Sequence, residues 1–497
     1  MMTTATTRGT VVEPQKEVPI AYDVDVAVVG AGIAGLFAGL AAGRQGAKTL
    51  LIDRFGSLGG NIGPAMIVAG GLYNEGTGTL VGGLSGLPKE LIDRVEALRT
   101  ADNYADETNL VSYLGVKLAE EYGVELLLSV WAADPIIEAG RVTGLFVEGK
   151  SGRVAVRAKV VVDATSDADL ARRADVPMIT ELPPDPSFAP LVRPELFDPS
   201  FRLWNDAGLF YLVANVDLAA YRAFAARRVT LSAADQAWVD ARNEERTWIH
   251  QPTLSFPPAL LPLLREAWEA GTFRYLQDVE PQVQVESRGE YSLINYGPGL
   301  TGSQVAIRGA IRREDIQQHS RLEAAVRVHS FETVQFYRAH VPGFEQAYLL
   351  FAAPYFGSRG GPCIDGEHTL TPQEAYTGQR FDDVMFRNTH EGQPQPWHGG
   401  EPTGFDAPYR MLRPRGLDGL LVSGGGAAYL RRGHDPTGMR CRPSMMALGE
   451  VTGIAAALAV QTGTTPRTLE VPTLQRELLR QGAYLGDEAR LAELGLR

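Results

Sequence analysis

The first strong signal in the pattern of hydrophobic and polar positions is Asp25-Val-Ala-Val-Val, an apolar run with no polar residue inside it. Such a run marks a strand covered on both faces, as in a parallel sheet. It breaks at Gly30. Ile33 to Arg44 then reads as an Ala- and Leu-rich helix stopped by Gly46, and Lys48-Thr-Leu-Leu-Ile-Asp53 reads as the next strand, so one βαβ unit is predicted. Further on, Leu110 to Tyr122 is amphipathic and Val124 to Ser129 is strand-like. Arg141 to Glu148 and Val154 to Arg157 flank the turn signal Lys150-Ser-Gly-Arg, the pattern of a β-meander inserted in a wound sheet. Lys159-Val-Val-Val-Asp163 is another buried strand, where the parallel sheet is expected to resume.

From about Asp175 to Thr403 this rhythm is lost. Prolines cluster at Pro183, Pro184, Pro186, Pro190 and Pro194, and no short βαβ repeat follows. Leu417 to Ser423 is strand-like again and leads through Gly424-Gly-Gly to a helix from about Ser444 to Val460. The expected class is α/β: a doubly wound Rossmann-like domain with an inserted β-meander, plus a second α+β domain. Residues 1–20 read as a disordered lead-in, 21–175 and 405–465 as one discontinuous nucleotide-binding domain, 176–404 as a substrate or cap domain, and 466–497 as a helical tail.

Composition narrows the partners. Apolar residues are 44% and charged ones 21%, which excludes a disordered, collagen or coiled-coil chain. The formal charge of −12 argues against nucleic acid, which needs a basic surface. Cys363 and Cys441 are the two cysteines; they make no disulfide framework and suit a reducing compartment. The N-terminal stretch has no apolar run of signal-peptide length, so a cytoplasmic protein is expected. Val26 to Gly43 is uncharged for the length of a membrane span. Its strand-like start and five glycines are better explained by a soluble strand-turn-helix, and no membrane is expected. Glycine is the outlier, at 54 of 497 residues against about 7% on average, which implies close backbone approaches.

Gly30-Ala-Gly32-Ile33-Ala34-Gly35 follows the first strand and opens the helix. In that context the first Gly permits a tight turn, the second lets the chain approach a pyrophosphate, the third packs helix on strand, and the helix N-terminus holds the anion. Asp53, at the end of the second strand, stands where an acid binds a ribose hydroxyl pair. A second match, Gly297-Pro-Gly299-Leu-Thr-Gly302, carries a Pro and opens no apolar helix, so it reads as a loop. A wound sheet interrupted by residues 176–404 favours FAD over NAD, and Gly59-Gly60-Asn61 adds a flexible loop of the kind a longer cofactor needs.

Further along stand Gly82-Gly-Leu-Ser-Gly-Leu-Pro-Lys-Glu-Leu, Gly140-Arg-Val-Thr-Gly, Arg157-Ala-Lys-Val-Val-Val-Asp-Ala-Thr, Gly366-Glu-His-Thr-Leu-Thr, Gly378-Gln-Arg-Phe-Asp-Asp, Pro408-Tyr-Arg and Met445-Met-Ala-Leu-Gly-Glu-Val-Thr-Gly. With these motifs the chain from Asp25 to about Tyr484 resembles the glutathione-reductase-type flavoproteins, and more narrowly the bacterial FAD-dependent oxidoreductase family. The resemblance implies non-covalent FAD, with phosphates at Gly30, Gly32, Ile33, Ala34 and Gly35 and the adenosine ribose at Asp53. It implies further contacts at Arg54, Gly59, Gly60 and Asn61, with Asp163, Ala164 and Thr165 close by. Gly425, Gly426, Met445 and Met446 would lie beneath the flavin ring, the helix opening at Ser444 aimed at its N1/C2 carbonyl. Two departures stand out. The family usually has Gly where Ser166 stands, and it tends to have Glu-Ser/Thr-Arg-Arg where this chain reads Phe356-Gly-Ser-Arg359-Gly-Gly-Pro-Cys363, keeping only Arg359.

All eight histidines lie from His250 onward and five of six tryptophans between Trp204 and Trp397, so imidazole and stacking groups come mainly from the second half. His434 lies between the glycine turn and the last core helix, and the family has a His at a similar place. It is the first candidate to take a proton as a hydride leaves for flavin N5. Arg440 is a candidate to hold an anionic substrate group or the flavin carbonyl; His368 and Tyr409 are further candidates. No CxxC, HExxH or clustered acidic set is found, so no metal is expected. The expected activity is that of an FAD-dependent dehydrogenase or oxidase acting on a small organic substrate. An NAD(P)H-dependent flavin reductase or monooxygenase, and a non-redox isomerase or lyase retaining FAD, stay open, as do the electron acceptor and the oligomeric state, a homo-oligomer included.

Overall fold

The computed structural model describes residues 9–67, 80–99, 104–180, 207–244, 256–281, 283–287, 294–309, 311–358, 361–389, 404–430 and 439–497. β1 (Ile20–Val29), α1 (Ile33–Arg44) and β2 (Thr49–Asp53) form the expected βαβ unit, the strands parallel with Val28 opposite Leu51. α1 has no polar stripe because it is enclosed, with every residue from Ala34 to Gly43 buried. A Cβ on Gly39 would touch Leu51, and one on Gly43 would fall 2.4 Å from a Val124 methyl. The small residues at membrane-like spacing therefore let the helix lie on its own sheet.

α2 (Gly86–Leu98) and α3 (Tyr104–Glu121) follow, and β3 (Val124–Leu128) joins β2 in parallel. The meander is β4 (Trp131–Glu138), β5 (Arg141–Gly149) and β6 (Gly152–Asp163), each antiparallel to the last. The sequence reading missed β4, whose residues are mostly part-exposed and include Pro135. It also split β6 in two. The runs Val154–Arg157 and Lys159–Asp163 are one strand, which pairs with β5 through its first half and in parallel with β1 up to Asp163 opposite Val29. The sheet order is β3-β2-β1-β6-β5-β4, and α4 (Asp169–Arg173) follows β6.

After β7 (Met178–Ile179) comes an antiparallel sheet built of β8 (Ala207–Ala214), β9 (Leu276–Glu280), β10 (Val283–Ser287), β11 (Ile294–Gly297), β12 (Leu300–Gly309), β13 (Tyr348–Ala352) and β14 (Gly357–Ser358). Its main order is β13-β8-β12-β10-β9, with helices α5 (Leu218–Ala225), α6 (Ala233–Glu244), α7 (Leu261–Glu269) and α8 (Ile316–His340) between the strands. The second glycine match is not a plain loop: it is the β11–β12 hairpin, and Gly302 lies within β12, where a Cβ would strike Tyr296 and Phe210. α8 is fastened to the sheet by Ser287 Oγ, which is 2.8 Å from His329 Nε2 and 2.6 Å from Thr333 Oγ1. Burial holds the His329 imidazole down at about 4, so this Ser–His pair is a neutral clasp in the core.

β15 (Cys363–Ile364) pairs with β7, and α9 (Pro372–Tyr376) leads to β16 (Val384–Asn388), which pairs with β17 (Phe405–Pro408). The wholly buried Asp406 draws in both Arg380 and Arg387 at 3.1 and 3.0 Å. β18 (Leu420–Val422) then adds to β6 in parallel, followed by α10 (Arg442–Gln461) and, in the tail, α11 (Val471–Arg480) and α12 (Glu488–Glu493). α10 has the length and hydropathy of a membrane span, but it is mostly buried within the fold. It runs parallel to α1 almost backbone on backbone. A Cβ on Gly449 would fall 2.1 Å from Ala34 O, and one on Gly453 2.1 Å from Ala38 O.

Glu450 is the charged residue in this seam. Its Oε1 accepts from the Leu87 N–H, 2.7 Å away at the start of α2. Burial pushes its carboxyl up from 4.5 to about 7, with Glu90 adding and the Leu87 N–H and Arg44 opposing. A folded-state value above the unfolded one means that the folded protein keeps an extra proton in that window. Stability therefore falls as pH rises through it, by up to about 3 kcal/mol. Glu450→Gln keeps the acceptor and removes the titration. Its melting temperature relative to the parent should rise between about pH 5 and about pH 8, and a constant difference in thermal unfolding would mean that the carboxyl titrates as it does in water.

Candidate cofactor site

The site is built on the carboxyl ends of β2, β1 and β6, where doubly wound sheets bind their ligands. Gly30 turns the chain at φ +93°, and a Cβ there would fall 2.5 Å from Ala164 O. A Cβ on Gly35 would fall 1.6 Å from Gly30 O, whereas one on Gly32 would meet nothing within 4 Å. Packing thus dictates the first and third glycines, and the middle one opens onto free space. Gly32 is also the N-cap of α1, whose first turn, through Ile33 and Ala34, has no acidic side chain. Room, free N–H donors and the positive end of a helix dipole are what a dinucleotide diphosphate requires, so these residues fit that group.

Carboxylates brace the loop from both sides. Asp53 accepts from the Ala31 N–H through Oδ2 and from the Phe55 N–H, at 2.7 Å, through Oδ1. Burial lifts its carboxyl above the ordinary range, and these two N–H groups oppose the lift. The wholly buried Asp163 accepts from Thr165 N at 3.1 Å, Thr165 Oγ1 at 2.6 Å and Ala171 N at 2.9 Å. Gly59 N donates to Ala31 O at 2.8 Å, and a Cβ on Gly60 would fall 2.7 Å from Gly32 Cα. The Gly59–Asn61 loop therefore rests on the fingerprint itself. Ser166, where the resemblance expects Gly, takes φ +81°, a left-handed conformation that costs a side chain about 1 kcal/mol or more.

The glycine turn and α10 close the other side. Gly424 and Gly426 are set against Ala34 and Ala168, which a Cβ would approach to 3.1 and 2.7 Å, with Gly425 between them. Since Gly449 lies level with Ala34, the N-terminus of α10 at Arg442 reaches about 10 Å beyond that of α1 at a rise of about 1.5 Å per residue. Met445 and Met446 are buried in its first turns, with Arg440 half-buried just ahead.

The structure gives two of the catalytic candidates local partners. Tyr409 is wholly buried and its hydroxyl donates to Pro466 O at 2.9 Å, so it is a core strut. His368 Nε2 faces Glu374 Oε1 at 3.2 Å, beside the Thr371–Glu374 capping box that opens α9, and serves that local structure. His434 and Arg359 lie outside the described residues. The sequence reading missed a group around Arg54: its guanidinium lies 4.7, 5.3 and 5.6 Å from the ring centres of Phe55, Trp131 and Tyr355. Three rings from distant segments carry no spacing signal.

A family model for FAD dependent oxidoreductases matches residues 25–478. The chain belongs to the FAD-dependent oxidoreductase family. Its cofactor is FAD. Among solved structures this oxidoreductase is similar to a flavin-dependent brominase, at 12% identity over 92% of this chain and 83% of that one with a TM-score of 0.38. It is also similar to a geranylgeranyl bacteriochlorophyll reductase-like protein from Thermoplasma acidophilum, at 15% over 92% and 83% with a TM-score of 0.37. A third is p-nitrophenol 4-monooxygenase from Pseudomonas putida DLL-E4, at 11% over 95% and 92% with a TM-score of 0.38. No curated protein matches the chain.

The three glycines of this family member should separate experimentally. Gly32→Val has space for its side chain and should fold, yet purify without yellow FAD, because the added methyls occupy the diphosphate's room. Gly35→Val should fail to fold, since its side chain meets backbone. Absorbance at the flavin band together with circular dichroism reads both; a yellow Gly32→Val protein would place the diphosphate elsewhere.

Proposed function

We propose that the protein is an FAD-dependent dehydrogenase or oxidase of a small organic substrate. The bound flavin supplies the hydride acceptor at N5. The observation that carries this reading is the pair of parallel helices set backbone to backbone through Gly449 and Gly453. They place two positive helix ends along one line, α1 for a diphosphate and α10 for the far end of an extended cofactor. In this reading Gly30, Gly32, Ile33, Ala34 and Gly35 hold the diphosphate. Asp53 takes the ribose hydroxyls on lone pairs that its braces leave free. The Gly425–Gly426 turn, Met445 and Met446 support the ring, while the first N–H groups of α10 favour negative charge at N1/C2. Arg440 orients an anionic group, and His434 takes the proton that substrate oxidation releases.

Anaerobic mixing of the yellow protein with sugars, hydroxy acids and amines, followed by reoxidation with oxygen or an artificial acceptor, tests the assignment. One substrate class should bleach the flavin band. Bleaching by NADH or NADPH with no response to any organic donor would establish a reductase or monooxygenase, and turnover without net bleaching a non-redox enzyme. His434→Ala should slow flavin reduction at least about a hundredfold with the flavin spectrum nearly unchanged. Reduction at the parental rate would remove His434 from the proton step and make Arg440 the next position to vary.

A further inference from the structure

The crevice above β2, β1 and β6 is roofed by the second domain. Tyr355 stacks on Phe55 with ring centres 4.4 Å apart and planes 17° apart, and Phe55 follows directly on the Asp53 brace. The Tyr355 hydroxyl lies 3.6 Å from the point a Gly60 Cβ would occupy, a point 2.7 Å from Gly32 Cα. It therefore stands beside the backbone of the phosphate cradle, and it makes no hydrogen bond among the described residues. Burial and the Asp53 carboxylate hold this phenol well above its usual range, against Arg54 and Arg313, so it is a neutral donor.

Arg313 enters from the other side of β1. Its side chain is 8% exposed, its Nε lies 2.9 Å from Asp167 Oδ2 just past β6, and its Nη1 is buried with no hydrogen-bond partner. His319, tilted against Phe356 with ring centres 4.6 Å apart, is held down at about 4 by burial and then by Arg313 and Arg54, against Asp167. A buried guanidinium with an unfilled donor and a neutral hydroxyl without a hydrogen-bond partner, beside the open space at Gly32, call for a bound acceptor, and the diphosphate of the cofactor offers one.

We propose that Tyr355 and Arg313, both from the second domain, complete the binding site for the diphosphate half of FAD, Tyr355 as a hydrogen-bond donor and Arg313 as counter-charge. This rests on the FAD reading and extends it: the cofactor is held by both domains and fastens one to the other.

Full-length protein stripped of flavin and titrated with FAD tests the proposal, with ADP and riboflavin as probes for the two halves of the cofactor. Tyr355→Phe should weaken FAD and ADP each about tenfold, and Arg313→Gln each about a hundredfold, since hydrogen bonds to a charged group are worth about 1.5–3 kcal/mol and every 1.4 kcal/mol is tenfold. Riboflavin affinity should not change. If Arg313→Gln fails to fold because Asp167 is left unpaired, the double variant Arg313→Gln, Asp167→Asn removes the orphan charge and carries the same expectation. Folded variants that bind FAD and ADP within about twofold of the parent would overturn the proposal and leave the roof a packing contact. A parent that binds no FAD would overturn the cofactor reading itself.

Discussion

The contact on which this structure depends is between backbones: two glycines of α10, Gly449 and Gly453, pressed against Ala34 and Ala38 of α1. No side chain fits between these helices, and each other contact of α1 is similarly close, with Gly35 on Gly30 and Gly43 on Val124. The glycine excess is thereby explained locally, as the condition for bringing segments some four hundred residues apart into one layer. The arrangement has an electrostatic consequence. Two parallel helices align their dipoles side by side, which is unfavourable until an anion meets the positive ends, and each such end contributes about 0.3–1 kcal/mol or more to holding one. Such an alignment suits an extended cofactor with an anionic diphosphate and, farther along, an electron-accepting ring.

Buried carboxylates do the second part of the work. Asp53 and Asp163 sit at the ends of adjacent strands of β1 and spend their oxygens on backbone N–H groups of the loops that follow. An ionised carboxylate offers about four acceptor positions, so Asp53 can brace Ala31 and Phe55 and still accept from a ribose. The same residue sets the shape of the loop and keeps acceptor positions to spare.

The βαβ unit was legible because every cue there is local: an apolar run, a glycine turn and an acid at a fixed interval. α1 falls at Ile33–Arg44, the range its composition predicts. What failed depended on tertiary context. β6 looked like two strands because its first half borders a meander and its second a parallel sheet, a change that leaves only Ala158 and Lys159 as a mark in the sequence. A motif shows residue type but not burial, and only the packing shows that the Tyr409 hydroxyl donates to Pro466 O and that the His368 imidazole faces Glu374. Ser166 was noticed as a departure, yet its φ of +81° shows what the departure means: the backbone conformation is kept at the cost of strain.

Segments from the middle of the chain meet the ends of β2 and β6 at two points that straddle Gly30, with Tyr355 on Phe55 after β2 and Arg313 on Asp167 after β6. Neither contact involves the antiparallel sheet itself; both come from segments flanking it. Positions so placed would tie the filling of the cradle to the packing above it, because whatever free energy the roof lends to an anion the anion lends back to the roof. What Arg313 keeps beside Asp167 is a donor, not a net charge: its Nη1 is buried with no hydrogen-bond partner, and a buried donor costs free energy until an acceptor meets it.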